Sequence, residues 1–310
     1  MKLLKLLILL LPLLATGCFD SNLDDCPPKE NTTIFFSLKD KADNDVFSET
    51  VDNVELFIYD AAGKLVRRCN IPKSELKSFA GKRLLLEPGT YTIVAWANNS
   101  EAHSEFFTNE KKSYLDRANN YLLTAIEANG VITNGDPVYY APKATATPLT
   151  VVVPEKGNVE TIAEMRHAHV KLEITIEGYQ YVANVTDGPP TVEVTGLTSR
   201  YDFAMKAHGD TVSYIQTAQN IDPNKNIFNV AFNIPIFDKN TTTEIRITNH
   251  EGKLVTLPIS LKEILGDKIN IEELWHLPIK IVLSEKNGLI QVAVTVDLPG
   301  WDEGIVNPNI

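Results

Sequence analysis

Three kinds of side chain in this sequence stand where they could do chemistry, and the first is a thiol. Cys18 follows Leu14-Ala15-Thr16-Gly17. It ends an apolar run over 6–15 that only Pro12 interrupts and that Lys2 and Lys5 precede. A cationic start, a short apolar stretch and small residues just before a cysteine form the pattern of a bacterial lipoprotein signal. The expected chemistry is cleavage after Gly17 and lipidation of Cys18. The usual leucine three places before the cysteine is here Ala15, with Leu14 one step further out. The run is shorter than the ~20 residues a membrane-crossing helix needs. A single acyl chain binds a membrane weakly, at ~0.8 kcal/mol per buried CH₂, so stable anchoring takes more than one. A soluble secreted protein cut nearby is the alternative.

Two more thiols remain, Cys26 and Cys69. An oxidising compartment allows them to pair. The bridge would close a loop of roughly 44 residues and contribute about 4 kcal/mol by chain entropy. Two free thiols are the alternative. The second kind of side chain is imidazole: His167 and His169 share one face of a strand, because side chains repeat every two residues. That spacing suits zinc, but nothing nearby supplies a third ligand, so surface histidines are expected. The third is carboxylate. Asp43, Asn44 and Asp45 lie together but lack the spacing and closing glutamate of a calcium loop. No nucleophile elbow, zinc-ligand helix or phosphate loop occurs. The expectation is a protein without a catalytic site, metal or cofactor.

The elements that must position these residues read as strands. Residues 32–38 are β-branched and aromatic. In 51–59, Val54, Leu56 and Ile58 alternate against Glu55, Phe57 and Tyr59, as for a strand with one face in a core. Asp60-Ala61-Ala62-Gly63-Lys64 turns the chain into 65–69, a hairpin. Strands over 83–87 and 91–97 flank the Pro88-Gly89 turn. Residues 100–130 show no alternation. Tyr114, Leu115, Ala118, Tyr121, Leu122, Ala125 and Ile126 are spaced for a short amphipathic helix. A short segment at 137–140 and a strand at 149–153 lead to Pro154-Glu155-Lys156-Gly157, where a domain boundary is expected.

Alternation restarts at Arg166, with Val170, Leu172, Ile174 and Ile176 on one face. Further strands are expected at 191–197, 211–216, 227–237, 244–248 and 253–259, the last two a hairpin around Asn249-His250-Glu251-Gly252. Residues 261–275 read as partly helical, broken at Gly266, and 277–283 and 289–298 as the closing pair. Trp301-Asp302 reads as an edge aromatic. Many short strands between turns predict an all-β protein of two tandem β-sandwich domains with short helical insertions. The expected division is residues 1–17 signal, 18–31 lipidated stem, 32–155 N-terminal domain and 156–310 C-terminal domain.

The chain has 310 residues and a formal charge of −11; losing Lys2 and Lys5 with the signal makes this about −13, a poor balance for nucleic acid or anionic lipid. The stem is polar and proline-containing and should be extended. Its Asp20, Asp24 and Asp25 read first as solvated charge.

The first part of the chain resembles the FimB/Mfa2 family of fimbrial anchor subunits from Bacteroidetes. The resemblance rests on the lipoprotein signal; Asp24-Asp25-Cys26-Pro27; the strand Val54-Glu55-Leu56-Phe57-Ile58-Tyr59-Asp60 running into Gly63-Lys64-Leu65-Val66; Pro88-Gly89-Thr90-Tyr91-Thr92-Ile93-Val94-Ala95-Trp96-Ala97-Asn98; and the restart Arg166-His167-Ala168-His169-Val170-Lys171-Leu172. It runs from the signal to about residue 177 and is vaguer beyond. It implies transthyretin-like sandwiches, a lipid anchor in the outer membrane, surface display through the stem aspartates, and assembly with pilin subunits into a fimbria. Assembly would proceed by strand exchange, a form of β-augmentation.

In the related stalk pilins an arginine-specific protease removes the first strand. Here no arginine lies between Cys18 and Arg67, so the strand at 32–38 is expected to stay. The alternating end, Ile290 to Leu298, is the candidate contact for the next subunit, with an ordinary closing strand as the alternative. A surface glycan-binding lipoprotein and, more remotely, a hydrolase are the competing functions.

Overall fold

The computed structural model describes residues 30–100, 102–127, 131–142, 148–237, 242–266 and 274–297. The expected signal, Cys18, Cys26 and Trp301-Asp302 lie outside them. The chain is nearly all β, with the strands gathered into several sheets. The first ten strands are β1 (Thr32–Leu38), β2 (Asn53–Tyr59), β3 (Leu65–Pro72), β4 (Gly81–Leu84), β5 (Gly89–Ala97), β6 (Glu105–Phe107), β7 (Tyr121–Leu123), β8 (Tyr139–Ala141), β9 (Leu149–Val153) and β10 (Val159–His167). The other nine are β11 (His169–Glu177), β12 (Thr191–Asp202), β13 (Ala207–Thr217), β14 (Gln219–Asp222), β15 (Ile227–Pro235), β16 (Glu244–Thr248), β17 (Ile259–Ser260), β18 (His276–Lys286) and β19 (Leu289–Val296). Short helices occupy Phe47–Thr50, Lys73–Ser78 and Leu261–Leu265.

The first sheet has eight strands in the order β3-β2-β5-β8-β10-β1-β4, with β9 branching from β5. β5 takes two partners because its length is shared. Gly89 to Ile93 pairs with β9, and Ala95 to Ala97 with β8. The branch lets the sheet fold over its own core. Ile34, Phe36 and Leu38 of β1, Val54, Leu56 and Ile58 of β2, and Ile93 and Ala95 of β5 meet there. The period of two in these stretches is what puts them on one side.

The second core lies between a five-stranded sheet, β14-β15-β11-β18-β19, and a six-stranded one, β17-β16-β12-β7-β6 with β13 on β12. Val170, Leu172, Ile174 and Ile176 face Val192, Val194, Ile245 and Ile247 across it, with Leu277, Ile279 and Ile281 beside them. Gly266 ends the helix Leu261–Leu265 at φ +57°, a conformation that favours glycine over residues with a Cβ.

Three sequence expectations are corrected. The amphipathic helix over 100–130 is replaced by β6 and β7 joined by turns. Asp116, Asn109 and Asn120 cap backbone groups there, and such local bonds compete with a helix. Leu122, at helical spacing, is buried in a third apolar cluster. Second, β2 and β5 are buried on both faces. Phe57, Tyr59, Val94 and Trp96, on the face opposite the first core, are packed by Leu122, Tyr201, Phe203 and Met205. Third, the hairpin partner over 253–259 is reduced to a bridge from Thr248 to Leu254 and the two-residue β17.

The chain after residue 155 also does more than begin a new unit. β10 pairs in parallel with β1 from Thr32↔Val159 to Leu38↔Met165, so it completes the first sheet. The chain leaves the first sheet for good at Ala168, between β10 and β11, although β6 and β7 already pair into the six-stranded sheet of the second core.

Candidate functional site

In a chain built almost wholly of sheets, the informative feature is which strand edges are closed and which are open. β1 is closed on both sides, antiparallel to β4 and parallel to β10. Its inward residues Ile34, Phe36 and Leu38 are at most 3% exposed. Asn31, just before the strand, ties to Leu86 through its side chain in both directions, Nδ2 to the Leu86 carbonyl at 2.8 Å and Leu86 N–H to Oδ1 at 3.0 Å. The first strand is thus an inner member of its sheet and leaves no vacant edge beside it.

Most sheet edges carry features that discourage further pairing. β3 bears Arg67 and Arg68, ends in Pro72, and its pairing shifts register at Ile58/Tyr59. β4 is four residues long with Lys82 and Arg83. β14 is four residues long and irregular. β13 is longer but shifts register twice against β12. β9 is uncharged but has five residues and stops at Pro154.

β19 differs. Its eight residues LIQVAVTV contain no charge, proline or glycine, and its register with β18 is unbroken from Lys286↔Leu289 to Ile279↔Val296. Among the described residues no strand pairs with its other side. Val292, Val294 and Val296 are buried, while Leu289 is 71% exposed. Such an edge presents a row of backbone donors and acceptors to an incoming strand. The alternation was legible in sequence. That the strand lies at an edge was not, because edge position depends on the order of strands and not on any one strand's pattern.

The sequence-predicted chemistry falls elsewhere. Cys69 sits on β3, half-buried and unpaired among the described residues. Sequence predicted surface histidines; instead His169 is buried and His167 half-buried, packed where β10 gives way to β11. Tyr139 lies against both rings, at 4.7 and 5.6 Å. Trp275 stacks on His167 at 5.5 Å. His169 Nδ1 lies 2.9 Å from the Val138 carbonyl, which assigns it as the donor. β18 enters the sheet beside β11, and this brings Trp275 onto His167, a contact between residues far apart in the chain.

Burial and the neighbouring His169 push the His167 pKa down to about 3, and burial also lowers that of His169. Both are neutral in the folded protein near neutral pH. The unfolded chain binds protons at the ordinary value near 6.5, so stability is full above that value. It is lost as pH falls from there toward about 3. The melting temperature should therefore drop between pH 7 and pH 4, and His167→Phe should flatten that slope. A slope unchanged in the variant would remove His167 as its source.

The acidic loop binds its own backbone. Asp40 Oδ1 accepts from the N–H groups of Ala42 and Asn44, both at 2.8 Å, and Asp45 accepts from Phe47 N–H at 2.9 Å. No group of three or more metal-ligating side chains occurs among the described residues.

Comparison with known proteins bears on this geometry. A Bacteroides thetaiotaomicron structure described as a polysaccharide-binding protein superposes with a TM-score of 0.70 at 16% identity, over 90% of this chain and 98% of its own. A Bacteroides ovatus protein described as an adhesin gives 0.70 at 13%, over 94% and 99%. The fimbrial anchor protein Mfa2 from Porphyromonas gingivalis gives 0.65 at 15%, over 90% and 99%. At such identities the likeness is one of fold. Comparison with curated protein sequences returns no match. The sequence itself matches the family described as fimbrillin-A associated anchor proteins Mfa1 and Mfa2 over residues 23–307, nearly its whole length. That family is of the structural fimbrial anchor type and is not an enzyme family. The chain belongs to this family of fimbrial anchor proteins.

Proposed function

We propose that this protein is the lipid-anchored base subunit of a surface fimbria, held in the outer membrane through Cys18 and joined to pilin subunits by strand pairing. In this reading residues 1–17 are the signal, 18–31 the lipidated stem, and the remainder two transthyretin-like β-sandwich domains. We take the second domain to begin after β10 rather than at the 155/156 boundary expected from sequence, because β10 is a strand of the first sheet, with β6 and β7 lent to the second domain's six-stranded sheet. Cys26 and Cys69 pair and fasten the stem to β3. Family membership supports association with fimbrial subunits.

The single observation that carries the anchor role is the seating of β1. An inner strand with both neighbours in place has no groove to offer a donor. Among the described residues, the partner surface left open is then the regularly paired, uncharged edge of β19. One subunit would thus keep its own first strand and engage the next from its far end.

The test is pull-down of a major pilin from intact envelopes, with lipidation-blocked Cys18→Ala as the localisation control. Ala293→Lys and Thr295→Lys together put charge on half-exposed positions of the edge. The expected result is at least ~tenfold less pilin recovered, about 1.4 kcal/mol of association, with unchanged melting. Undiminished recovery would move the contact off β19. Absence of any pilin from the wild-type pull-down would overturn the anchor reading.

A further inference from the structure

A polar cavity of about 760 Å³ opens where the first sheet meets the segment leading into β6. That volume lies within the ~300–1,000 Å³ usual for small-molecule sites. Its walls include Glu55, Arg68, Asn70, Asn99, Glu105 and Phe106. Three of these converge because of register. Glu55 pairs with Asn70 across β2 and β3, and Phe57 with Arg68, so all four share the face of the sheet that looks away from its core.

Glu55 is 5% exposed. Burying a carboxylate is costly unless it is fully bonded, so what it bonds is informative. Asp136 and Asp202, the other buried carboxylates among the described residues, fasten loops. Asp202 accepts from the backbone of Ala204 and Lys206, and Asp136 from the backbone and hydroxyl of Ser100 and the hydroxyl of Ser104. Glu55 is bonded instead to two side chains of the cavity wall. Arg68 Nε donates to its Oε2 at 3.0 Å and Asn70 Nδ2 to its Oε1 at 2.6 Å. The Arg68 guanidinium also rests 5.3 Å from the Phe57 ring and 5.7 Å from the Phe106 ring. The buried acid therefore fixes the direction of two recognition groups, as a supporting shell does in a binding site.

The unspent hydrogen-bonding capacity defines the ligand. The two Nη groups of Arg68 have no hydrogen-bond partner among the described residues, and the Asn70 carbonyl oxygen is likewise free to accept. Asp52 is already engaged by Lys73, while Glu105 is not ion-paired among the described residues. A ligand that both donates and accepts matches this mixture. A cation would meet Arg68 unfavourably, and an anion would meet Asp52, Glu55 and Glu105. Hydroxyl pairs of a sugar ring fit planar guanidinium and amide groups in both directions. We infer that the Glu55–Arg68–Asn70 cleft binds a neutral saccharide.

The test uses the lipidation-blocked Cys18→Ala chain, titrated calorimetrically with neutral gluco-, manno-, galacto- and xylo-oligosaccharides and, in parallel, with an oligogalacturonate. Binding of at least one neutral sugar is expected, with the uronate weaker. Arg68→Ala should weaken that binding at least ~tenfold; it also strips the buried Glu55 of its charged partner and should lower the melting temperature, so binding is compared at a temperature where both proteins are folded. Asn70→Ala is the second variant, should Arg68→Ala unfold. No neutral sugar bound at about 10 mM, or binding indifferent to both variants, would overturn the inference. Pilin recovery by Arg68→Ala should equal that of the wild type, so failure here is distinct from failure of the anchor reading.

Discussion

Deleting Thr32–Leu38 is expected to abolish folding of the first sheet. The strand buries Ile34, Phe36 and Leu38 almost completely, worth ~1.5–3 kcal/mol apiece. Their sum approaches the whole stability of a domain, ~5–15 kcal/mol. The deletion also strips β10 and β4 of a shared neighbour and opens two ladders at once. Expressed without this strand, the chain should be insoluble or protease-sensitive, with a near-ultraviolet circular dichroism signal much reduced.

The same reasoning applies to processing. The first arginines after Cys18 are Arg67 and Arg68, both within β3 and hydrogen-bonded into the sheet. N-terminal analysis of protein isolated from the envelope should therefore find Thr32–Leu38 still attached. A mature species that begins beyond Leu38 and remains folded would contradict both statements.

The second large effect lies at the third cluster. Trp96→Ala is expected to cost ~3–5 kcal/mol, as for large aromatic truncations in cores. Trp96 is 0% exposed and lies 4.7 Å from Tyr140, 5.9 Å from Tyr201 and 6.4 Å from Phe106, ring centre to ring centre. It belongs by sequence to the first sheet and by packing to the seam with β12. Urea denaturation should show a lower midpoint. If the seam couples the two cores, separate probes in each should lose their common transition. A Phe203→Ala variant should behave alike, because Phe203 meets Phe57 at 4.8 Å from the other side of the seam. A Trp96→Ala protein within ~0.5 kcal/mol of the wild type would mean that the seam contributes little to stability.

These outcomes follow from features that divide between sequence and fold. Alternation in Thr32–Leu38, in β11 and in β19 told which side chains point inward, since a period of two is a local property of extended chain. Turn residues told where strands end. The apolar run before Cys18 and the lack of arginine before Arg67 are equally local readings, on which the proposed export signal and uncut first strand rest. What sequence could not supply was adjacency.

The helical spacing across 100–130 was misleading because apolar residues recurring at three and four can equally be drawn onto a neighbouring sheet. Here Leu122 and Phe106 cover Phe57 and Trp96, and asparagine and aspartate caps outcompete the helix. The histidines looked exposed because their strand begins there. Trp275 and Tyr139, distant in sequence, bury them. Glu55 read as a solvent-facing residue and is instead the buried brace of a cavity. By itself the sequence determined most of the strands, their inward faces and the family to which the chain belongs. Tertiary structure alone decided that β1 pairs with β10, that β2 and β5 are covered twice, and that β19 is left at an edge among the described residues. The reason is that pairing order is set by contacts between segments far apart in the chain, and a local pattern carries no record of its partner.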